Sequence, residues 1–445
     1  MHVFNTTSRP NRFLRDNAAI ILIVLAAAGL RLLVAPFSAG HFDNAIMQTW
    51  SQALTDHPLG QFYGLALDVP KDHLPGDLWL LYALGTLAGG TPSVAVLRLL
   101  AGGADLAIGI LVYTIARRCA SPLTAALAAG VFLLGPAPIL ISSLWGQWDA
   151  ISTALLMAAV LLALRGRHVA IGAWIVLAYA CLIKPQLAIV APFLLVLAWR
   201  REKMKGIGNA VLGAAGGAVF VQGVAMPFGV GWPGTGQALT VPGLIQQSVD
   251  QYNAISLGAH NVWGLLIGRA APPADGELLV GGMSYRTAGM IAFVTVWVVA
   301  LAIAILIRDA EAAFFLGSSI ALVAMFVFQT RMHERYLFPA PPFILLAAVP
   351  MHRVRAPAIV LHLVFFLNVF ITFGYWNPGL VPTGMQTDTV IRLNAIALIL
   401  VLAHLIAVGL LAIRRSRVPT TTVIRPATMP VNRPMGHLVP ASERG

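Results

Sequence analysis

Six consecutive residues, Arg331-Met332-His333-Glu334-Arg335-Tyr336, stand directly between two apolar stretches, and five of the six side chains are polar. Two guanidinium groups beside an imidazole can hold a phosphate through charge-assisted hydrogen bonds. The position four after His333 is Leu337, so the zinc-protease pattern HExxH is absent. A further cation, Lys184, stands in the tight turn Lys184-Pro185-Gln186. It either joins such an anion site or snorkels to lipid headgroups. Asp43 follows the first apolar stretch, where a carboxylate can act as general base toward a hydroxyl. Aspartate is also a good helix N-cap, so both roles stay open for Asp43. Around these residues lie groups suited to hydrogen bonding a polar ligand: Asp72 and Asp77 beside Leu74-Pro75-Gly76, Gln147 and Asp149 in Leu144-Trp145-Gly146-Gln147-Trp148-Asp149, Gln186, His260-Asn261, and Glu334.

These residues are set in a very apolar chain. Of its 445 residues 58% are hydrophobic and 10% charged, too few charges to cover a soluble domain. The mean hydropathy is +0.81, and apolar stretches reach about 20 residues, the length that crosses a bilayer core. The composition predicts an all-α polytopic transmembrane helical bundle. Apolar segments fall at 18–36, 94–116, 121–142, 150–165, 169–183, 187–199, 207–226, 287–307, 311–328, 336–350, 357–375 and 389–413, about 12 spans. The stretches 77–91 and 260–270 are short and read as interfacial helices, the second alternatively as re-entrant. Arg9, Arg12 and Arg15 precede the first span as they would in a signal peptide, but the many spans that follow predict an uncleaved first helix.

Twelve crossings put both termini on one side. Of the 29 Lys and Arg, 20 then fall on that side, with only 5 of the 17 Asp and Glu, which makes it the cytoplasmic side. The net charge of +12 is explained by that retention and calls for no nucleic acid. Residues 1–415 form one bundle with long outside loops at 37–93 and 227–286, and 416–445 is expected to be a disordered basic tail. Arg98 and Asp105, seven residues apart, share a helical face within the second span, where they read as an interhelical tie or as functional groups. Cys119 and Cys181 fall near opposite faces, so no disulfide is expected. Gly213 and Gly217 form a GxxxG spacing suited to close helix packing. The sequence has no Walker loop, dinucleotide fingerprint, nucleophile elbow or His/Cys group with metal spacing.

The motifs at 144–149, 184–186, 260–263 and 332–336, in that order, resemble the GT-C superfamily of membrane glycosyltransferases. The likeness is greatest to the bacterial relatives of the GPI-anchor mannosyltransferase and to the polyprenol-phosphate-mannose-dependent group. Where that group has Tyr-Pro-Pro-Gly, this chain has His73-Leu74-Pro75-Gly76. The resemblance implies an inverting transfer of a sugar, mannose by this likeness, from a polyprenyl-phosphate donor to a glycan, lipid or protein acceptor. The site would lie on the outer face of a bacterial inner membrane. It implies Asp43 as the base, Arg331, His333, Arg335 and Lys184 as holders of the donor phosphate, and the polar groups named above as sugar or acceptor contacts. No cofactor is implied, and the sequence leaves divalent-metal dependence open. A lipid-linked-sugar transporter or flippase is the alternative, although such proteins place polar groups near the bilayer midplane.

Cysteines introduced at positions 60 and 240 are expected to react with an impermeant thiol reagent added outside intact cells. Labelling from the cytoplasm alone would invert the topology.

Overall fold

The computed structural model describes residues 9–37, 42–166, 169–268, 270–279 and 281–417. The tail expected at 416–445 lies outside these residues from 418 onward, as does His41. The described residues are mostly helical, and their one sheet is the two-residue pairing of β1 (Val230–Gly231) with β2 (Leu239–Thr240).

Several helices start where a short polar side chain takes up a free N–H group. α1 (Arg9–Val34) and α2 (Phe42–Asp56) are followed by α3 (Pro75–Ala88), which ends at Gly89 with φ 73°. α4 (Val94–Ala116) is capped by Ser93, and α5 (Pro122–Leu133) by Ser121. α5 then breaks into a single turn, α6 (Pro136–Pro138), and a π-helical segment (Ile139–Trp145). Next come α7 (Asp149–Arg165), α8 (Ala170–Ile183), α9 (Ala191–Glu202) and α10 (Met204–Ala225). The second long loop carries α11 (Val241–Asp250) and α12 (Val262–Ile267). α13 (Tyr285–Leu306), α14 (Ala310–Phe328), α15 (Ala340–Ala348), α16 (Arg355–Trp376) and α17 (Asp388–Arg417) complete the bundle. Seven of these, α1, α4, α10, α13, α14, α16 and α17, are long and apolar enough to cross a membrane, and α5 with its bent continuation makes an eighth. Large apolar side chains on their outer faces are exposed, among them Leu22, Leu33, Val219 and Val298, as a bilayer requires. The chain is a multi-pass membrane protein.

The segments expected at 150–165 and 169–183 form helices close to those bounds, although shorter than the seven, whereas α9 starts only at Ala191 and the segment expected at 336–350 is helical only over Ala340–Ala348. The last is the clearest difference: α15 has nine residues, about 14 Å of helix at 1.5 Å per residue. Residues 336–339 stay in turns, and Pro341 and Pro342 are accommodated in the first turn of α15. α14 from Ala312 to Val327 and all of α15 are buried, so these two lie inside the bundle. Close packing of α8 on α10 depends on the GxxxG pair: a Cβ on Gly213 would lie 2.7 Å from that of Trp174, and one on Gly217 2.8 Å from that of Ala178.

The connections gather at two ends. At one, Glu311 pairs with Arg118 (2.9 Å) and Arg201 (2.7 Å), and Arg201 donates to the Leu164 carbonyl. The Arg308 N–H donates to the Ser416 hydroxyl there, and Tyr113 donates to Asn17. The other end holds α2, α3, the loops at 146–148 and 184–185, the second long loop and the 329–339 turns. Between the ends, Asp105 is bound by Arg31 of α1 (Nη2, 3.0 Å), not by Arg98, and it accepts from Ser142 (3.1 Å). Arg98 donates instead to the carbonyls of Ala35 (3.2 Å) and Phe37. Asp105 is thus an interhelical tie that joins α1, α4 and the π-helical segment.

Asp105→Ala leaves the Arg31 guanidinium buried beside no carboxylate, and removing one partner of a buried pair costs about 3–5 kcal/mol. Thermal unfolding in detergent should show that loss, and a much smaller one for Arg31→Met combined with Asp105→Leu.

Candidate active site

Asp43 lies in the first turn of α2. Its Oδ2 accepts hydrogen bonds from the Trp145 indole (3.3 Å) and the Gln147 amide. Those two donors reach it because the backbone leaves α-helical geometry just before them. The N–H groups of Gly146 (3.0 Å) and Gln147 (2.9 Å) both donate to the Ile141 carbonyl and close the wide turn. Gly146 has φ 86°, and a Cβ there would lie 2.4 Å from the Asn44 Oδ1, so only glycine fits. Asn44 in turn donates to the Trp145 carbonyl (2.9 Å) and pins the start of α2 to the same turn.

Behind Trp145 lies a buried set of charges. Lys184 pairs with Asp149 (3.0 Å), and Arg335 with Glu334 (2.9 Å). The Arg335 Nε is 3.6 Å from the Asp149 Oδ2 and bridges the two pairs. The guanidinium also lies 5.9 Å from the Trp145 ring centre, and the Lys184 ammonium 5.0 Å from that of Tyr336. Burial opposes the charges of Lys184 and Arg335, but Asp149 and Tyr336 carry the lysine above its ordinary pKa, and Glu334, Asp149 and Asp43 raise the arginine. Burial also raises Glu334 despite Arg335. His333 is pushed well below the ordinary value by burial and then by Arg335 and Lys184, so it is neutral. Its ring meets Tyr252 and Tyr336 edge to face.

A cavity of about 640 Å³ opens in front of these groups. Asp43, Asp72, His73, Gln147, His260, His333, Glu334 and Arg335 make its polar side, and Phe42, Ile46, Met47, Ile267, Trp376 and Ile391 its apolar side. Phe42 and Trp376 are both about half exposed and pack on each other (ring centres 5.4 Å apart), forming an aromatic lip. His260 is held with a defined tautomer. The Asn394 amide donates to both the Val364 carbonyl and the His260 Nδ1 (3.0 Å each), so the ring carries its proton on Nε2. Burial lowers its pKa to about 3 and keeps it neutral.

The sequence-predicted residues divide into groups. Asp43, Asp72, Gln147, His260, His333, Glu334 and Arg335 meet at the cavity, with Asp149 and Lys184 directly behind Arg335 and Glu334. Asp77 lies beneath His73, to which it is bound. Gln186 belongs to the turn Pro185–Val190 and does not line the cavity. Asn261 is the N-cap of α12, accepting from the N–H groups of Trp263 and Gly264 and donating to the Phe326 carbonyl. Arg331 also lies away from the cavity lining. With φ 62° it turns outward, and its Nε and Nη2 bind both oxygens of Asp275 (2.7 and 3.0 Å). Asp250 (3.3 Å) and the Val249 carbonyl complete its contacts. The geometry makes Arg331 the clasp of the second long loop. Leu257 donates to the Met332 carbonyl beside it, and Tyr252, held at Asp72 (3.4 Å), comes to lie against His333. Tyr252 and His73 are two polar lining residues that the predicted site leaves out, and Trp145 is a third that touches Asp43. The signals of the first two in the sequence were a tyrosine among polar loop residues and a histidine four before Asp77.

No family model matches the chain, and no curated protein matches it either.

Asp275→Ala removes an acceptor shared by Arg331 and Thr330 and leaves Arg331 only Asp250 and the Val249 carbonyl. Hydrogen exchange around residues 250–257 and 275 should quicken by about 10-fold, the effect of roughly 1.4 kcal/mol, while exchange in α14 stays unchanged.

Proposed function

We propose that this chain is an inverting glycosyltransferase of the GT-C type, moving a hexose, mannose by the resemblance, from a polyprenyl phosphate to a glycan, lipid or protein acceptor. The observation that carries this reading is one cavity with a carboxylate held at its wall, two cations beside it and an apolar side ending in an aromatic lip. A lipid-linked sugar has the matching parts: a polar head, an anionic phosphate and a long apolar tail. Polar candidates collected at one end of the bundle also suit chemistry at a membrane face better than passage through the middle.

In this reading the acceptor hydroxyl gives its proton to Asp43. Its oxygen attacks the sugar C1 opposite the phosphate, the C1–O bond breaks, and the electron pair leaves on the lipid phosphate. Trp145 and Gln147 orient the base. Arg335 and Lys184 stabilise the charge that develops on the leaving group, an effect that is strong in a site shielded from water. His260, as an Nε2–H donor, and Asp72 serve the sugar or the acceptor. Arg331 positions the loop rather than touching phosphate.

The topology that goes with this reading has twelve crossings, adding α7, α8, α9 and α15 to the eight longer spans. Its support is the grouping of the connections. The loops at 117–118, 165, 200–201 and 308–311 meet around Glu311, whereas those at 43, 147–149, 184, 252–260 and 333–336 meet at the cavity. The basic character of the Glu311 end supports a cytoplasmic position for it and an outer-face position for the cavity, and the resemblance points to a bacterial inner membrane.

Asp43→Asn retains an acceptor oxygen for Trp145 and Gln147 but cannot take the proton. In nanodiscs with polyprenyl-phosphate mannose and an oligosaccharide acceptor, transfer should fall by about 100-fold or more with donor binding retained. Near-normal transfer would remove Asp43 as base. Movement of the lipid-linked sugar across vesicles by a wild type that transfers nothing would make the chain a flippase.

A further inference from the structure

The cavity that Asp43 lines also holds a second candidate for proton transfer. His73 lines it, and the Nδ1 of the ring is bound to the Asp77 carboxylate one helical turn along. The pair is held firmly. The His73 ring packs on Trp50 with ring centres 4.7 Å apart, and its carbonyl accepts from the Tyr63 hydroxyl (2.8 Å). The first turn of α3 is pressed on the end of α8, where a Cβ on Gly76 would lie 2.9 Å from the Leu182 carbonyl oxygen. The Tyr179 hydroxyl donates to the Gly76 carbonyl (2.8 Å). Asp77 is 2% exposed and its second oxygen, Oδ1, is buried without a hydrogen-bond partner among the described residues. The His73 side chain is 30% exposed. With Nδ1 taken by Asp77, Nε2 is the nitrogen available to a ligand.

Resting on the transferase reading, we propose that His73, oriented by Asp77, is a second proton-transfer residue, which protonates the leaving lipid phosphate as the sugar–phosphate bond breaks.

Three observations converge on this role. The first is placement: Trp50, against which His73 packs, is seven residues beyond Asp43 on α2, about 10 Å along the helix. Inverting glycosidases hold an acid and a base about 6.5–9.5 Å apart around the sugar, and a phosphate leaving group can take a proton from an acid at a comparable reach. The second is charge. Lys184 and Arg335 are already paired with Asp149 and Glu334, and Asp43, Asp72 and Asp77 add further negative charge. A phosphomonoester leaving with two charges would face a carboxylate-rich wall, and a proton from His73 reduces it to one. The third is proton affinity: a phosphomonoester has a second pKa of about 6, close to that of an imidazolium. The groups facing His73 are Asp77, Asp72 and Lys184, with the phenols of Tyr63 and Tyr179 nearby. Burial lowers its pKa, but Asp77 and then Asp72 outweigh burial and Lys184, so the value is raised and the proton-bearing form persists to higher pH.

The step balances. The acceptor proton goes to Asp43, the acceptor oxygen bonds to C1, and the C1–O pair goes to the phosphate. The Nε2 proton of His73 goes to a phosphate oxygen. Afterwards Asp43 releases its proton to water and His73 takes one from it.

The test is the pH dependence of transfer by the full chain in nanodiscs, with polyprenyl-phosphate mannose as donor. The wild-type kcat should fall on the alkaline side as His73 loses its proton. His73→Gln should lower kcat about 100-fold, change the donor KM far less and abolish that limb. Asp77→Asn should keep the fold, as judged by an unchanged melting temperature, and move the limb to lower pH; a structural contact alone would not move it. A wild-type rate flat to high pH, or an alkaline limb unmoved in Asp77→Asn, overturns the proposal and leaves the transferase reading standing. A wild type inactive toward every lipid-phosphate sugar removes both.

Discussion

An ionised side chain at the end of an apolar bundle must be neutralised where it sits, because neither lipid nor packed protein can solvate it. The arrangement of Asp149, Lys184, Glu334 and Arg335 obeys that constraint. Each of these four is contributed by a chain segment that leaves a helix: the start of α7, the end of α8 and the turns before α15. Their mutual pairing holds three helix ends in register, so the charges both back the cavity and fasten the segments that form it. The same rule operates deeper, where Arg31 and Asp105 neutralise each other and Ser142 takes up the remaining carboxylate oxygen.

The position of Asp43 depends on this deeper pair through the backbone. Ser142 lies in the π-helical segment, and that segment ends in the turn from which Trp145 and Gln147 reach the carboxylate. A regular α-helix through these residues would tighten the turn at Ile141 and rotate both donors away. π-Helical geometry occurs often at functional sites for this kind of reason: it re-aims side chains without ending the helix. Gly146 then permits a left-handed turn against Asn44 that a side chain would block.

Much of this was legible in the amino-acid sequence. Apolar length and charge bias disclosed a helical membrane bundle, because both arise from the same requirement that uncharged segments face lipid. Polar residues beside apolar runs disclosed most of the cavity's charged and polar side, but little of its apolar side. Partner choice was not legible. Asp105 is seven residues from Arg98 on one helix, yet its partner is Arg31, brought from another helix by packing. Arg331 and Arg335 look equivalent in the sequence, and the difference between them comes from a positive φ at Arg331 and from Asp275, more than fifty residues away. Asn261 has a ligand-like type but serves as a cap. The helix within 336–350 is shorter than the apolar run, because the turn that places His333 and Arg335 continues through Tyr336 and Leu337 to Pro339.

α14 has a further consequence. Every residue from Ala312 to Val327 is buried, so the medium around this helix is other helices and not hydrocarbon chains. A vacancy made there cannot be filled by a lipid tail, and its packing follows the rules of a soluble protein's interior, where each methylene is felt. Gly317 is such a point of contact, since a Cβ there would sit 3.0 Å from the Ala300 carbonyl oxygen. The helix must therefore satisfy two solvents in succession: apolar enough to enter the bilayer during biosynthesis, and shaped closely enough to be accepted by its neighbours once they surround it.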